Sequence, residues 1–462
     1  MDIRQMLKDN ESFAKGGRIT AFSNTELTPE LSALLGGAMG TYLDSNAVVM
    51  IGRDYRRDTR MLKRSFSGGL LSAGIELIDL HGIPTSILQF AVRRYGADAG
   101  IMITRSHNLA GMVSIKLFEA TGIEFQSKQV AKIVEIAKSG DLRRVAAPDV
   151  GWISVADAMK VYDRALAGFF ASSKESMKEA NLRVVVDCAC GPASRIMPDL
   201  LSEFGCQVIT LNAHRPRTPL FLPNPSSLVR LRETVRAIGA DLGIALDAEA
   251  RHAIIIDSQG RIRTAEETAS VNLHSRYDPS SNATVVVGSS VHPSVYHDLH
   301  KNLIFSGHGE PGGIGRAVLQ HRAIYGFNDT GLFVLPVFSP GSDAIVASFT
   351  VLSQMAKSNL KSTDLYRNHQ VFAQRIAEVT FPLEKMFNFF KSVLNEHLKD
   401  FRVIDTFIGI KLITEETEWI HIHLASDNNT LQIEVYDPKE NLDRQSELIA
   451  FARNLVDSFL SK

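Results

Sequence analysis

The chain has 462 residues, 45% hydrophobic and 22% charged, which is too long for one ordinary domain and apolar enough for several packed cores. Lys and Arg number 50 against 51 Asp and Glu, a formal net charge of −1, so no global field draws nucleic acid or an anionic membrane and any anion site must be local. No apolar run reaches the ~18 residues of a membrane span, Met1–Ser12 is too polar for a signal peptide, and Cys188, Cys190 and Cys206 are too few for a disulfide framework or a tetrahedral zinc site; reduced buried thiols and a cytoplasmic location are expected.

In chain order, "AVVMIGRD" (Ala47–Asp54) reads as a strand and "MLKRSFSGGLLSAG" (Met61–Gly74) as a helix. "IELIDL" and "AGIMIT" follow as strands, with "TSILQFAVRRYG" as a helix between them. This alternation predicts a mostly parallel sheet with helices on both faces. The pattern restarts near Gly151: "LRVVVDCACG" is a strand, "SRIMPDLLSEFG" a helix, "CQVITLN" a strand and "VRLRETVRAIG" a helix. "ADLGIALDAEARHAIIIDSQGRI" reads as strand, loop and strand, and a third unit begins with "ATVVVGSSV". The last hundred or so residues alternate like antiparallel strands and close on an amphipathic helix, "NLDRQSELIAFARNLVDSFL". The expected fold is α/β: three similar mixed-sheet α/β domains plus a C-terminal α+β domain around a central cleft. The expected boundaries are 1–150, 151–257, 258–368 and 369–462.

One stretch carries the functional signal. "GADAGIMITRSHNLAGMVSIKLF" (Gly96–Phe118) is apolar to Ile103, polar through Thr104, Arg105, Ser106, His107 and Asn108, then apolar again. On residue types alone "RSHN" is a polar turn.

Taken with "LTPELSALLGGAMG" (Leu27–Gly40), "GRD" (Gly52–Asp54), "GLLSAGIELIDLHGIPT" (Gly69–Thr85), "VVVDCACG", "FGCQVITLN" and "PNP" (Pro223–Pro225), the chain resembles the phosphohexomutases over nearly its whole length. These are the phosphoglucomutase, phosphomannomutase and phosphoglucosamine mutase enzymes. The resemblance implies that Ser106 carries a phosphoryl group given to one end of a hexose phosphate, after which the bisphosphate reorients and returns its other phosphate. It implies that His107 and Asn108 orient that phosphate and that Arg53 and Lys116 neutralise it, since phosphoryl transfer needs positioning and charge more than covalent chemistry.

The other family loops are altered. The magnesium loop, three aspartates at alternate positions in the family, reads "DAEARH" here. Asp247 and Glu249 are carboxylates, but Arg251 stands at the third ligand position and His252 where the family has arginine. A guanidinium cannot ligate magnesium, so Arg251 is expected to project into the ion's place, attracted to Asp247 and Glu249, and no metal is expected; Mg2+ would enter only if the family site still works. The sugar-reading loop "GFNDTGL" (Gly326–Leu332) places Asn328, Thr330 and Leu332 at its chemical positions, and a leucine carries no proton. His308 reads as a loop histidine without a catalytic role. In the phosphate clamp, "HLASDNN" (His423–Asn429), His423, Ala425 and Asp427 replace the arginine, serine and threonine, leaving Ser426, Asn428 and Asn429 as hydrogen-bonding residues. Arg18 is the survivor of the amino-terminal arginine loop.

Two readings follow. One is a divergent member with weakened or lost mutase activity and a retained binding or regulatory role, as a homo-oligomer or paired with an active relative. The alternative is an active phosphoglucomutase/phosphomannomutase or phosphoglucosamine mutase of altered specificity. A phosphosugar is the expected ligand, with no nucleic-acid or membrane partner.

Overall fold

A computed structural model describes residues 18–105, 111–214, 225–277, 283–288, 291, 303–306, 311–367, 369, 375–395, 398–405, 409–414, 418–424, 430–437, 439 and 441–461. Four sheets organise them. The first holds β1 (Ile19–Phe22), β2 (Val48–Arg53), β3 (Glu76–Gly82), β4 (Ala99–Arg105), β5 (Met112–Glu119) and β6 (Ile153–Val155) in the order β1-β5-β4-β2-β3-β6. The second orders β7 (Arg183–Asp187), β8 (Gln207–Leu211), β9 (Leu242–Leu246), β10 (Ala253–Asp257) and β11 (Ile262–Arg263) as β11-β10-β9-β7-β8. The third contains β12 (Val285–Gly288), β13 (Leu303–Ser306), β14 (Tyr325–Phe327) and β15 (Phe333–Val334) as β13-β12-β14-β15. The fourth, β16 (Arg375–Thr380), β17 (Arg402–Asp405), β18 (Gly409–Ile413), β19 (Trp419–Leu424) and β20 (Thr430–Tyr436), is antiparallel in the order β16-β20-β19-β18-β17 and packs the helix Leu442–Leu460.

The sheets are less parallel than strand–helix alternation suggests. β4, β2 and β3 are parallel, but β5 returns antiparallel to β4 and β1 antiparallel to β5. The reason is length: residues 106–111 are too few for a crossover helix, so the chain must reverse in a hairpin. The same switch recurs at 247–252 between β9 and β10, at 328–332 between β14 and β15, and at 425–429 between β19 and β20. Each of the four loops singled out by sequence therefore joins an antiparallel pair.

Local chemistry sets the helices that frame these loops. The helix Thr85–Tyr95 starts after Pro84 and stops at Gly96, whose φ of 68° suits a residue without a Cβ. The segment read as one helix from Ser194 is instead a short 3-10 turn, Pro192–Arg195, then a helix Met197–Glu203. Pro198 lies in that helix's first turn, where its missing N–H costs nothing, and so fixes the later start. No helix among the described residues is long and apolar enough to cross a membrane.

The helices Pro29–Tyr42 and Arg57–Leu71 touch backbone to backbone. A Cβ added at Gly69 would lie 2.1 Å from the Ala33 carbonyl oxygen, and one at Gly36 would lie 2.1 Å from that of Phe66. Gly69→Val is expected to push this pair apart and cost about 3 kcal/mol in chemical unfolding, whereas Gly68→Ala, which meets nothing within 4 Å, leaves stability unchanged or slightly raised.

Candidate functional site

The residues most directly implicated by the resemblance, Ser106, His107 and Asn108, lie outside the described residues, as do Ser426, Asn428, Asn429 and His308. What anchors the serine loop is described. Asp54, 1% exposed, follows Arg53 at the end of β2. Its Oδ2 accepts from the Arg105 N–H at 3.1 Å and the Thr104 hydroxyl at 3.4 Å, and its Oδ1 from the Arg56 N–H at 2.9 Å and the Thr59 hydroxyl at 2.7 Å. One carboxylate thus ties the residue before Ser106 to the start of a helix. Burial pushes the Asp54 carboxyl up, against its hydrogen bonds. Arg53 extends from the same strand end, its Nη1 donating to the Asp54 carbonyl at 2.6 Å.

Lys116 lies on β5 opposite Met102 of β4, which in turn pairs with Gly52 of β2, so it projects from the row adjoining Arg53. It is fully buried, and its ammonium meets Glu249 Oε2 at 2.5 Å. Burial pulls the Lys116 ammonium down from its ordinary value, and Glu249 opposes that pull. The other Glu249 oxygen accepts from the Thr85 hydroxyl at 2.9 Å.

The hairpin loop 247–252 is closed by its own first residue. Asp247 Oδ1 accepts from the N–H groups of Arg251 at 2.7 Å and His252 at 3.1 Å, and Oδ2 lies 3.0 Å from His252 Nδ1. Ala250 adopts φ 52° to make the turn. The expected attraction of Arg251 to Asp247 and Glu249 is not what forms. Its Nη2 pairs with Glu124 Oε2 at 3.0 Å, and its Nε donates to Ser342 Oγ at 2.8 Å. The cause is prior commitment: Asp247 binds main-chain donors of its loop, and Lys116 already neutralises Glu249. Glu124, 1% exposed, also takes a bidentate contact from Arg18, at 2.9 and 3.0 Å. Burial alone would raise its carboxyl, but the Arg18 and Arg251 guanidiniums outweigh burial and hold it well below the usual carboxylate range.

The sugar-loop residues are stitched to this hairpin. Leu332 bridges His252, and the Ala253 N–H donates to the Gly331 carbonyl at 3.0 Å. Gly331 has φ 84°, and a Cβ there would lie 2.4 Å from the Ala253 oxygen. Asn328 Oδ1 accepts from Thr330 N at 3.2 Å, Thr330 Oγ1 at 2.9 Å and Leu332 N at 3.1 Å, closing the loop and leaving the amide nitrogen as the group that can address a hydroxyl. From the fourth sheet, Lys411 lies buried with its ammonium 4.3 Å from the Trp419 ring centre. Burial pushes it down to about 8, while the charge of Asp329 in the sugar loop acts the other way.

The structure therefore brings Lys116, Asp247, Glu249, Arg251, Asn328, Thr330 and Leu332 together across three sheets. Sequence reasoning missed Glu124, Thr85 and Ser342, and assigned no role to Asp54. Asp54 sits in "GRD", which was the available signal; Glu124 stands alone in sequence, far from both its partners.

Magnesium does not fit the described donor set. Each oxygen of Asp247 and Glu249 already accepts from, or pairs with, a group of the protein, and Arg251 occupies the third position. A cation that keeps strict octahedral geometry would share those oxygens with the protein's own donors and meet the positive charges of Lys116 and Arg251 beside them. No group of three or more His, Cys, Asp or Glu among the described residues is placed to hold a metal.

Three mixed α/β sheets, each with one hairpin loop singled out above and fastened to one another by buried ion pairs and main-chain hydrogen bonds, precede a fourth, antiparallel sheet, and comparison with known proteins assigns this architecture to a class of phosphosugar mutases. Family models described as phosphoglucomutase/phosphomannomutase alpha/beta/alpha domain I and domain II match residues 10–144 and 160–260. A probable phosphoglucosamine mutase of Thermococcus gammatolerans is 30% identical over 95% of this chain and 96% of its own. A phosphoglucomutase/phosphomannomutase of Thermococcus kodakarensis is 30% identical over 75% of this chain and 78% of its own. The solved structure of a putative phosphomannomutase from Thermus thermophilus, 21% identical, superposes with a TM-score of 0.74 over 96% of this chain and 98% of that one. The chain belongs to the phosphohexomutase family.

Glu124→Gln takes the counter-charge from the buried Arg251 and from the half-buried Arg18, and is expected to cost about 3 kcal/mol at neutral pH. Because the folded-state carboxyl is depressed, its contribution is present above the ordinary value of 4.5 and is lost as pH falls through the folded value. Melting curves of wild type and variant should therefore converge as the pH drops below 4.5, and a gap that stays constant into acid would contradict the assignment.

Proposed function

We propose that this protein is a phosphosugar mutase that interconverts the 1- and 6-phosphates of a hexose of glucosamine, glucose or mannose type through a phosphorylated Ser106. The observation that carries the reading is the buried Lys116–Glu249 pair, on the strand that leaves the Ser106 loop and the hairpin of the second sheet. The names of the relatives, phosphoglucosamine mutase and phosphoglucomutase/phosphomannomutase, support the substrate class and differ on the sugar.

In this reading a sugar hydroxyl attacks the phosphorus on Ser106 Oγ. The bond from phosphorus to Ser106 breaks, the bond to the sugar oxygen forms, and the hydroxyl proton leaves to a base. Lys116 can take that proton in the form in which its own ammonium proton has passed to Glu249 Oε2, 2.5 Å away, a form that burial favours. The bisphosphate then turns in the cleft and returns its other phosphoryl group to Ser106. Arg53 neutralises the transferring group, His107 and Asn108 orient it, Asn328 and Thr330 bind sugar hydroxyls, and Ser426 and Asn428 hold the second phosphate.

A second reading draws on the engaged oxygens of Asp247 and Glu249 and on Arg251: the chain binds a phosphosugar, or an active relative, with little or no turnover. The two separate in a coupled assay with glucose, mannose and glucosamine phosphates, each with its bisphosphate, followed by phosphopeptide mass spectrometry. The mutase reading expects turnover of at least one sugar phosphate, phosphate on Ser106, loss of both in Ser106→Ala, and activity that survives chelation by EDTA. No turnover and no phosphoserine with any of the three would leave the binding reading.

A further inference from the structure

A recess of about 400 Å³ opens away from the loops described above, at the far end of the helix Thr85–Tyr95. Phe90, Arg93 and Arg94 of that helix line it, with Phe169, Val337 and Phe338 from two other segments. Its helix residues, Phe90 to Arg94, lie about 8 to 14 Å along the helix axis from Thr85, which holds Glu249. Its back wall is aromatic. Phe90 and Phe338 stack with ring centres 5.1 Å apart, and Phe169 tilts against Phe338 at 5.2 Å. Val337, 66% exposed, adds an aliphatic flank.

The rim is cationic. Arg93 and Arg94 are exposed, and among the described residues neither forms an ion pair. Cations in a last turn oppose the helix dipole, but that role needs neither a recess nor an apolar wall beside them. A hexose would lay only its small C–H face on the Phe and Val carbons. A flat ring would cover those carbons, and guanidiniums suit the oxygens of a phosphate.

We propose that this recess binds a nucleoside phosphate, ring against Phe338 and Val337 and phosphates between Arg93 and Arg94, as a site separate from the sugar-phosphate cleft. Both of its walls run to the cleft. The helix reaches Thr85 and hence Glu249, while the segment bearing Val337 and Phe338 continues to Ser342, which accepts from Arg251. A ligand wedged between them bears on both contacts, and this coupling, unlike the binding, rests on the mutase reading.

The test is calorimetry on the full chain with adenosine diphosphate, inorganic pyrophosphate and glucose 6-phosphate. Adenosine diphosphate is expected to bind one to one, about tenfold or more tighter than pyrophosphate, and to lose about tenfold or more in the Arg93→Ala/Arg94→Ala variant and in Val337→Asp. Both changes are at exposed positions, so unchanged melting curves certify the fold. Ser106→Ala should bind the nucleotide as wild type does, which separates this site from the fate of the mutase reading. No binding by wild type, equal binding of pyrophosphate, binding that survives both variants, or competition by glucose 6-phosphate would each overturn the proposal.

Discussion

Glu124 is a carboxylate almost wholly withdrawn from water, and such a group is tolerated only when opposite charge is brought to it. Here that charge comes from two directions, Arg18 at the start of β1 and Arg251 in the hairpin of the second sheet. The third unit joins through Arg316, which reaches the Glu124 carbonyl at 2.8 Å and the Glu119 carboxylate at 3.1 Å, and through Ser342 on Arg251. Three sheets are thereby fastened where their loops meet. Lys116 and Glu249 make a second buried bond across the same junction. The cations at this junction are held by partners of the protein's own.

The location of the loops follows from topology. A parallel sheet needs long crossovers, and its short connections appear where direction reverses. In each α/β unit the first such reversal between consecutive strands carries the serine loop, the Asp247–His252 loop or the Asn328–Leu332 loop; the second sheet reverses once more between β10 and β11. Rigid strands on both sides then fix a short polar segment, and side chains such as Asp54 and Asn328 complete the anchoring by accepting main-chain N–H groups.

Much of this was legible in sequence. Apolar runs such as "AGIMIT" and "LGIAL" become fully buried strands, and their polar interruptions mark the loops. The direction of β5 was not read from its composition, although the short link from β4 determines it. The first strand of the fourth sheet, Arg375–Thr380, passed unnoticed because no apolar alternation announces "RIAEVT" strongly. The Arg251 contact was missed for a more general reason. Residue type shows that a guanidinium cannot bind magnesium, but which carboxylate it chooses depends on which are already engaged, and that is a property of the folded chain. Loss of activity, the reading that altered loops suggested, has no support in the relatives, whose names are those of mutases.

The junction of the three sheets rests on Arg251 acting through Glu124. A double-mutant cycle with Arg251→Gln, Glu124→Gln and the double variant, read by chemical unfolding at neutral pH, tests it most directly. Coupling of about 2 kcal/mol, with the double variant more stable than the sum of the single losses predicts, is expected for a buried pair. Additive losses would show that the two residues do not sense each other and would remove the bond on which the junction of the three sheets depends.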